Sequence, residues 1–258
     1  MLQFEKPIYK ITDSVESNFY GKFELEPLER GFGNTIGNAL RRVMLSSLPG
    51  SAISSIKIDG VLHEFQTIDG VYEDVATIIL NLKGVVIKNH TNGPKTLHLN
   101  ATEEGEVTAG DIESDPDVEI INKDKVIATL SKGGKLNMEI VVTNGRGYVD
   151  SEINKKLLDI KKPGVIAIDS SYTPIERVSY EVEPARVGQD ETYDKLVLEV
   201  WTNGSMKPEE AIALASRILI EHFELLTDLS SIADVSGMMI EKTEDPKTKA
   251  LETSIEDL

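Results

Sequence analysis

Leu25-Glu26-Pro27-Leu28-Glu29-Arg30-Gly31-Phe32-Gly33-Asn34-Thr35-Ile36-Gly37 is where this chain changes its hydrophobic period. Before it, residues 7–28 alternate apolar and polar positions, with Ile8, Ile11, Phe19, Phe23, Leu25 and Leu28 apolar, which predicts two half-buried strands. After it the spacing is helical to about Ser47, where Pro49-Gly50 stops it. A glycine-rich turn between a strand and a helix is where a phosphate-cradling loop would sit. The spacing Gly31-x-Gly33-x-x-x-Gly37 is one residue too long for a dinucleotide fingerprint, and no Gly-Lys-Ser/Thr follows. The favoured reading is a tight turn with close backbone approach at a helix start.

Projected at about 100° per residue with Ile36 at zero, Leu40, Val43 and Ser47 fall within about 40° of it, a stripe suited to a core or a partner helix. Leu45 lies about 180° away between Arg41 and Arg42. An apolar residue set between guanidiniums has the composition of a protein-binding surface. Further along, Val71–Leu82 reads as a second helix. Short strand-like runs then follow at Val85–Ile87, Leu97–Leu99, Ile127–Leu130 and Leu136–Val142. A looser polar segment, Asp150–Pro163, precedes strands at Val165–Ile168, Val178–Val182 and Leu196–Trp201. A last helix opens at Pro208-Glu209-Glu210 and runs to about Thr227. Its apolar residues cover about half the circumference. It is therefore either sandwiched within its own domain or packed on both a sheet and a second subunit. His222 falls in this apolar sector and reads as a satisfied core or interface histidine.

The 258 residues carry 27 Lys+Arg against 44 Asp+Glu, a formal charge of −17 that opposes binding to a phosphate backbone. With no cysteine, disulfides, thiolate zinc sites and a cysteine nucleophile are excluded. There is no signal-peptide pattern and no run of about 18 apolar residues for a membrane span. The ladder Asp111, Glu113, Asp115, Asp117, Glu119 lacks the glycine and glutamate of a calcium loop and reads as a solvated strand face. His63-Glu64 has no second histidine for a zinc helix, and the four histidines are scattered. From residues alone the preferred function is a non-catalytic, self-associating interaction protein, with a small-molecule enzyme as the alternative.

Leu25–Gly33, Gly37-Asn38-Ala39-Leu40-Arg41-Arg42 and Leu45-Ser46-Ser47 closely resemble the alpha-subunit family of bacterial RNA polymerase. So do Ile58–Phe65, Leu80–Gly84, Gly145-Arg146-Gly147-Tyr148, Tyr193-Asp194-Lys195-Leu196 and Pro208-Glu209-Glu210-Ala211. The resemblance implies an α+β, two-domain chain. A dimerisation domain (1–49 and 172–228) of sheet plus two long helices holds an inserted, mostly β domain (50–171). Residues 229–258 would be an acidic tail leading toward a carboxy-terminal DNA-binding domain that the chain does not reach, so upstream-promoter recognition is not expected of it. The implied role is a bacterial, cytoplasmic, non-catalytic scaffold that homodimerises and binds the beta and beta prime subunits, without cofactor or metal. Arg42, Leu45 and Arg41 match beta-binding positions, and Lys83 and Ile168 match beta prime positions. Phe32, Ile36, Val43, Leu219, Phe223 and Leu226 would form the dimer interface. Gly110 and Asn144 depart from the family pattern in local strand or loop detail.

Overall fold

In the computed structural model the change of period at Gly31 becomes a change of element. The structure describes residues 4–5, 7–15, 19–158, 163–188, 190–227 and 239–240. The amino-terminal part holds β1 (Phe4–Glu5), β2 (Ile8–Val15), β3 (Tyr20–Leu28) and α1 (Phe32–Ser47). A strand-rich stretch follows: β4 (Pro49–Ile58), α2 (Val75–Lys83), β5 (Ile87–Asn89), β6 (Lys95–Ala101), β7 (Gly105–Thr108), β8 (Val118–Ile120), β9 (Val126–Leu130) and β10 (Leu136–Arg146). Then come β11 (Tyr148–Val149), α3 (Ser151–Leu157), β12 (Val165–Ala167) and β13 (Ser170–Ser171). The chain returns through β14 (Ile175–Val187), β15 (Asp190–Thr202), α4 (Pro208–Thr227) and β16 (Met239–Ile240), which pairs in parallel with β1. The fold is α+β, as expected. The acidic segment 229–258 lies outside the described residues except for Met239–Ile240. No described helix is long and apolar enough to cross a membrane.

Strands from both ends of the chain share one antiparallel sheet, in the order β14-β15-β3-β2. Phe23 pairs with Leu198 and Leu25 with Leu196, so alternation puts their side chains on one face. On that face α1 packs against β14 and β15, and α4 packs against α1, β15 and β3. The resulting core is Leu40, Met44, Leu48, Ile175, Val178, Leu198, Val200, Ala211 and Ala215. A second core shares no residue with it and runs from Ile53 to Ile168 in sequence. There β4 is central, flanked by β10 on one side and by β5 and β12 on the other. Ile56, Ile78, Leu82, Leu99 and Ile140 are fully buried between that sheet and α2. Truncating one of them to alanine would cost about 2–5 kcal/mol.

The structure corrects three local expectations. The second helix starts at Val75 rather than Val71. The Glu73 carboxylate accepts from Thr129 N (2.7 Å) and Oγ1 (2.9 Å), and Val71 bridges to Leu130, which holds this stretch against β9. Asp74 then caps the helix by accepting from Thr77 N at 2.8 Å. The polar segment after Tyr148 contains a helix, α3, because Asp150 caps it through Ile153 N at 2.9 Å. The residue 111–119 acids do not lie on one strand. Asp111 closes a 3-10 turn boxed with Thr108, and only Glu119 lies within β8.

Candidate functional site

The glycines around α1 place the helix, and the place a phosphate would take is filled from within the chain. Gly31 has φ +91° at the N-cap, a left-handed conformation that glycine adopts without strain. The Asp194 carboxylate of β15 accepts from Gly31 N at 2.8 Å and from Gly33 N at 3.3 Å. It occupies the anion position that unsatisfied N–H groups and the helix dipole create at a helix start. Two separated stretches of the sequence thus meet at one contact. A Cβ on Gly33 would come within 2.8 Å of Val182, and one on Gly37 within 2.6 Å of Tyr180. The glycine edge therefore faces the sheet, and the buried stripe of α1 is Gly33, Gly37, Leu40 and Met44. Only Leu40 of the apolar stripe read from the sequence belongs to it. Ile36 and Val43 are rotated to the flank and stay half-exposed.

On the outward side of α1, Arg41 and Arg42 are exposed and Leu45 is 38% exposed. Arg41 is partly engaged, its Nε donating to Val178 O at 3.4 Å. The Arg42 guanidinium has no ion pair among the described residues, and Arg42 and Leu45 lie one turn apart on one face. The three residues expected at a protein-binding surface therefore lie together, with Arg42 and Leu45 the freer pair.

The two halves of the α4 helix differ in how far its wide apolar surface is covered. Its buried residues, Pro208, Ala211 and Ala215, all lie in its first half. Leu219, like Ile36 and Val43, is half-buried and packs against the core. Beyond it Ile220, Phe223, Leu225 and Leu226 are 51–70% exposed, and Phe32 on α1 is 49% exposed. Among the described residues, nothing covers the second half of α4. His222 is exposed rather than a core residue, with Nδ1 2.7 Å from the Ile218 carbonyl and so donating to it.

Lys83 and Ile168 are neighbours in space but differ in exposure. Lys83 Nζ donates to Asp169 Oδ2 at 2.8 Å, while Ile168 is 3% exposed inside the second core. Ile168 thus supports this surface from beneath and does not present its own side chain. Asp169 also accepts from Ser151 N at 2.9 Å. Its carboxyl is held below the usual carboxylate range, first by the Lys83 hydrogen bond; burial opposes this, and Ser151 N–H, the Lys83 charge and the Tyr148 hydroxyl add to it. The Tyr148 hydroxyl is pushed up, first by desolvation and then by the Asp169 charge and hydrogen bond, although the residue as a whole is 66% exposed. Asp169 joins the two sequence motifs around Lys83 and Tyr148, and no sequence spacing announced that.

The acidic ladder has local occupants. Glu113 accepts from Asn100 at 2.8 Å, Asp115 from Asp117 N at 2.8 Å, Asp117 pairs with Lys95, and Glu119 lies 3.8 Å from His90. A cleft of about 370 Å³ lies beside these acids, and no residue of the Gly31–Gly37 turn lines it.

Residues 56–173 match the model of the RNA polymerase Rpb3/RpoA insert domain. Over 258 residues the chain is 55% identical to a protein of Clostridium perfringens and to one of Desulforamulus reducens, covering all of this chain and 81% of each relative. A Clostridium botulinum relative is 54% identical over 259 residues, with the same coverage. All three are named DNA-directed RNA polymerase subunit alpha.

Proposed function

Because the chain belongs to the alpha subunits of bacterial DNA-directed RNA polymerase, we propose that it is the non-catalytic scaffold on which that enzyme is built in the cytoplasm. It homodimerises, binds the beta subunit and then the beta prime subunit. Residues 1–49 and 172–228 form the dimerisation domain and 50–171 an inserted domain; two separate cores and the family match to residues 56–173 support this division. Residues 229–258 form the acidic tail. The observation that carries the reading is that Phe32, Phe223 and Leu226 are 49–60% exposed on two helices that pack together, with Ile36, Val43 and Leu219 of the same helices half-exposed. In a two-fold dimer such a patch covers itself. Burying a side chain of this size contributes about 1.5–3 kcal/mol.

Arg42, Leu45 and Arg41 make the beta-binding surface. Beta prime meets the Lys83 surface, with Ile168 holding it from below. Because the dimer meets two different large subunits, the equivalent surfaces on its two copies do different jobs. Neither contact uses a cofactor or a metal, and a chain of charge −17 works on DNA through the subunits it holds. The test is Arg42→Ala. The variant should remain a folded dimer and lose co-purification with beta; undiminished beta binding would remove Arg42 from the surface.

A further inference from the structure

We propose that Tyr172 is a positioning residue that locks the angle between the two cores, and with it the separation of the Arg42–Leu45 surface from the Lys83 surface. The described chain passes between the cores twice, once from Leu48 to Ile53 and once from Ile168 to Ile175. Two connections without a lock would leave a hinge, since relative domain motion is the default unless the contact is firm.

Tyr172 touches both connections. It is 4% exposed, its N–H donates to Gly147 O at 2.8 Å, and its hydroxyl is 2.8 Å from Thr143 Oγ1. Its ring lies over Gly145, where a Cβ would come within 2.8 Å of the ring carbons, and its carbonyl stands where a Cβ on Gly50 would be. Gly50 and Gly145 are register partners across β4 and β10, so a pair of facing glycines opens one slot for one tyrosine. Gly147 has φ +65° and a Cβ there would lie 3.5 Å from Ser46 O, which sets the same turn against the last turn of α1. Two residues on, Pro174 O accepts from Asn203 N at 3.0 Å and ties the second connection to the segment leading into α4. This gives the Gly145-Arg146-Gly147-Tyr148 block a physical reason. A ring that fills its slot and a part-buried hydroxyl contact favour one arrangement, so the two bodies do not slide gradually.

The consequence for assembly rests on the scaffold reading, whereas the lock is measured on the chain without any partner. The chain has no cysteine, so Glu104→Cys and Glu181→Cys place one spin label in each body. Labelled chain is diluted into excess unlabelled chain, and the label separation is read by double electron–electron resonance. The parent should give a narrow distribution, and Gly145→Ala and Tyr172→Leu should roughly double its width, as hinge release does. Trp201 fluorescence and hydrogen exchange in β10 and β15 should stay native in both. Tyr172→Phe and Thr143→Val each remove only the hydroxyl contact, so they should broaden it less and carry the test if the stronger variants unfold. Unchanged widths in the variants that fold would overturn the proposal.

Discussion

Asp194 shows how one side chain can settle a question that a motif leaves open. Its carboxylate holds Gly31 N and Gly33 N, so the start of α1 is anchored to β15 and the anion position is occupied. Asp194→Ala should lower stability by about 1–2 kcal/mol, the scale of a lost helix cap, measured by urea unfolding; a change within error would deny it the anchoring role. Asp169 makes a pH-dependent counterpart. Its folded value is depressed, so its contribution is present above the ordinary value of 3.8 and is lost as pH falls through the depressed one. Asp169→Asn should therefore unfold at lower urea than the parent at neutral pH. The difference should shrink once pH drops below about 3.8; a difference that persists or grows in acid would contradict the assignment.

At the scale of elements, periodicity carried most of the information. The strands at 7–28, α1 to Ser47 and α4 from Pro208 to Thr227 were all legible from their spacing, although Ile8 and Ile11 of β2, read as half-buried, are 54% and 50% exposed. What was not legible depended on contacts distant in sequence. The Glu73–Thr129 bonds delay α2, and the Asp150 cap makes a helix of a stretch that reads as loop. The glycine edge of α1 turned inward because backbone proximity, which no hydrophobicity scale counts, won over the Ile36–Val43 stripe. Exposure of the expected contact residues was not legible either: Arg41 reaches Val178 O, and Ile168 is buried. The exposed second half of α4 carries its own prediction. Phe223→Asp should raise the dimer dissociation constant about thirtyfold or more, the roughly 2 kcal/mol of a buried aromatic anchor, while leaving the monomer folded. Sedimentation equilibrium reads both; an unaltered dimer would place the interface elsewhere.

At the scale of the whole molecule, the chain is two cores joined by two short connections, with its apolar patch on one body and its Lys83 surface on the other. The charge of −17 suits a protein whose partners are proteins rather than phosphate backbones. Relatives of this chain are named for one subunit of an enzyme of several subunits. On the proposed scaffold reading, partners cover the Arg42–Leu45 surface, the Lys83 surface and the exposed half of α4. Sedimentation velocity of the chain mixed with purified beta subunit tests that most directly. The account predicts a single complex of two copies of this chain with one beta subunit, lost on Arg42→Ala while the dimer remains; a monomeric chain, or a dimer that leaves beta free, would contradict it.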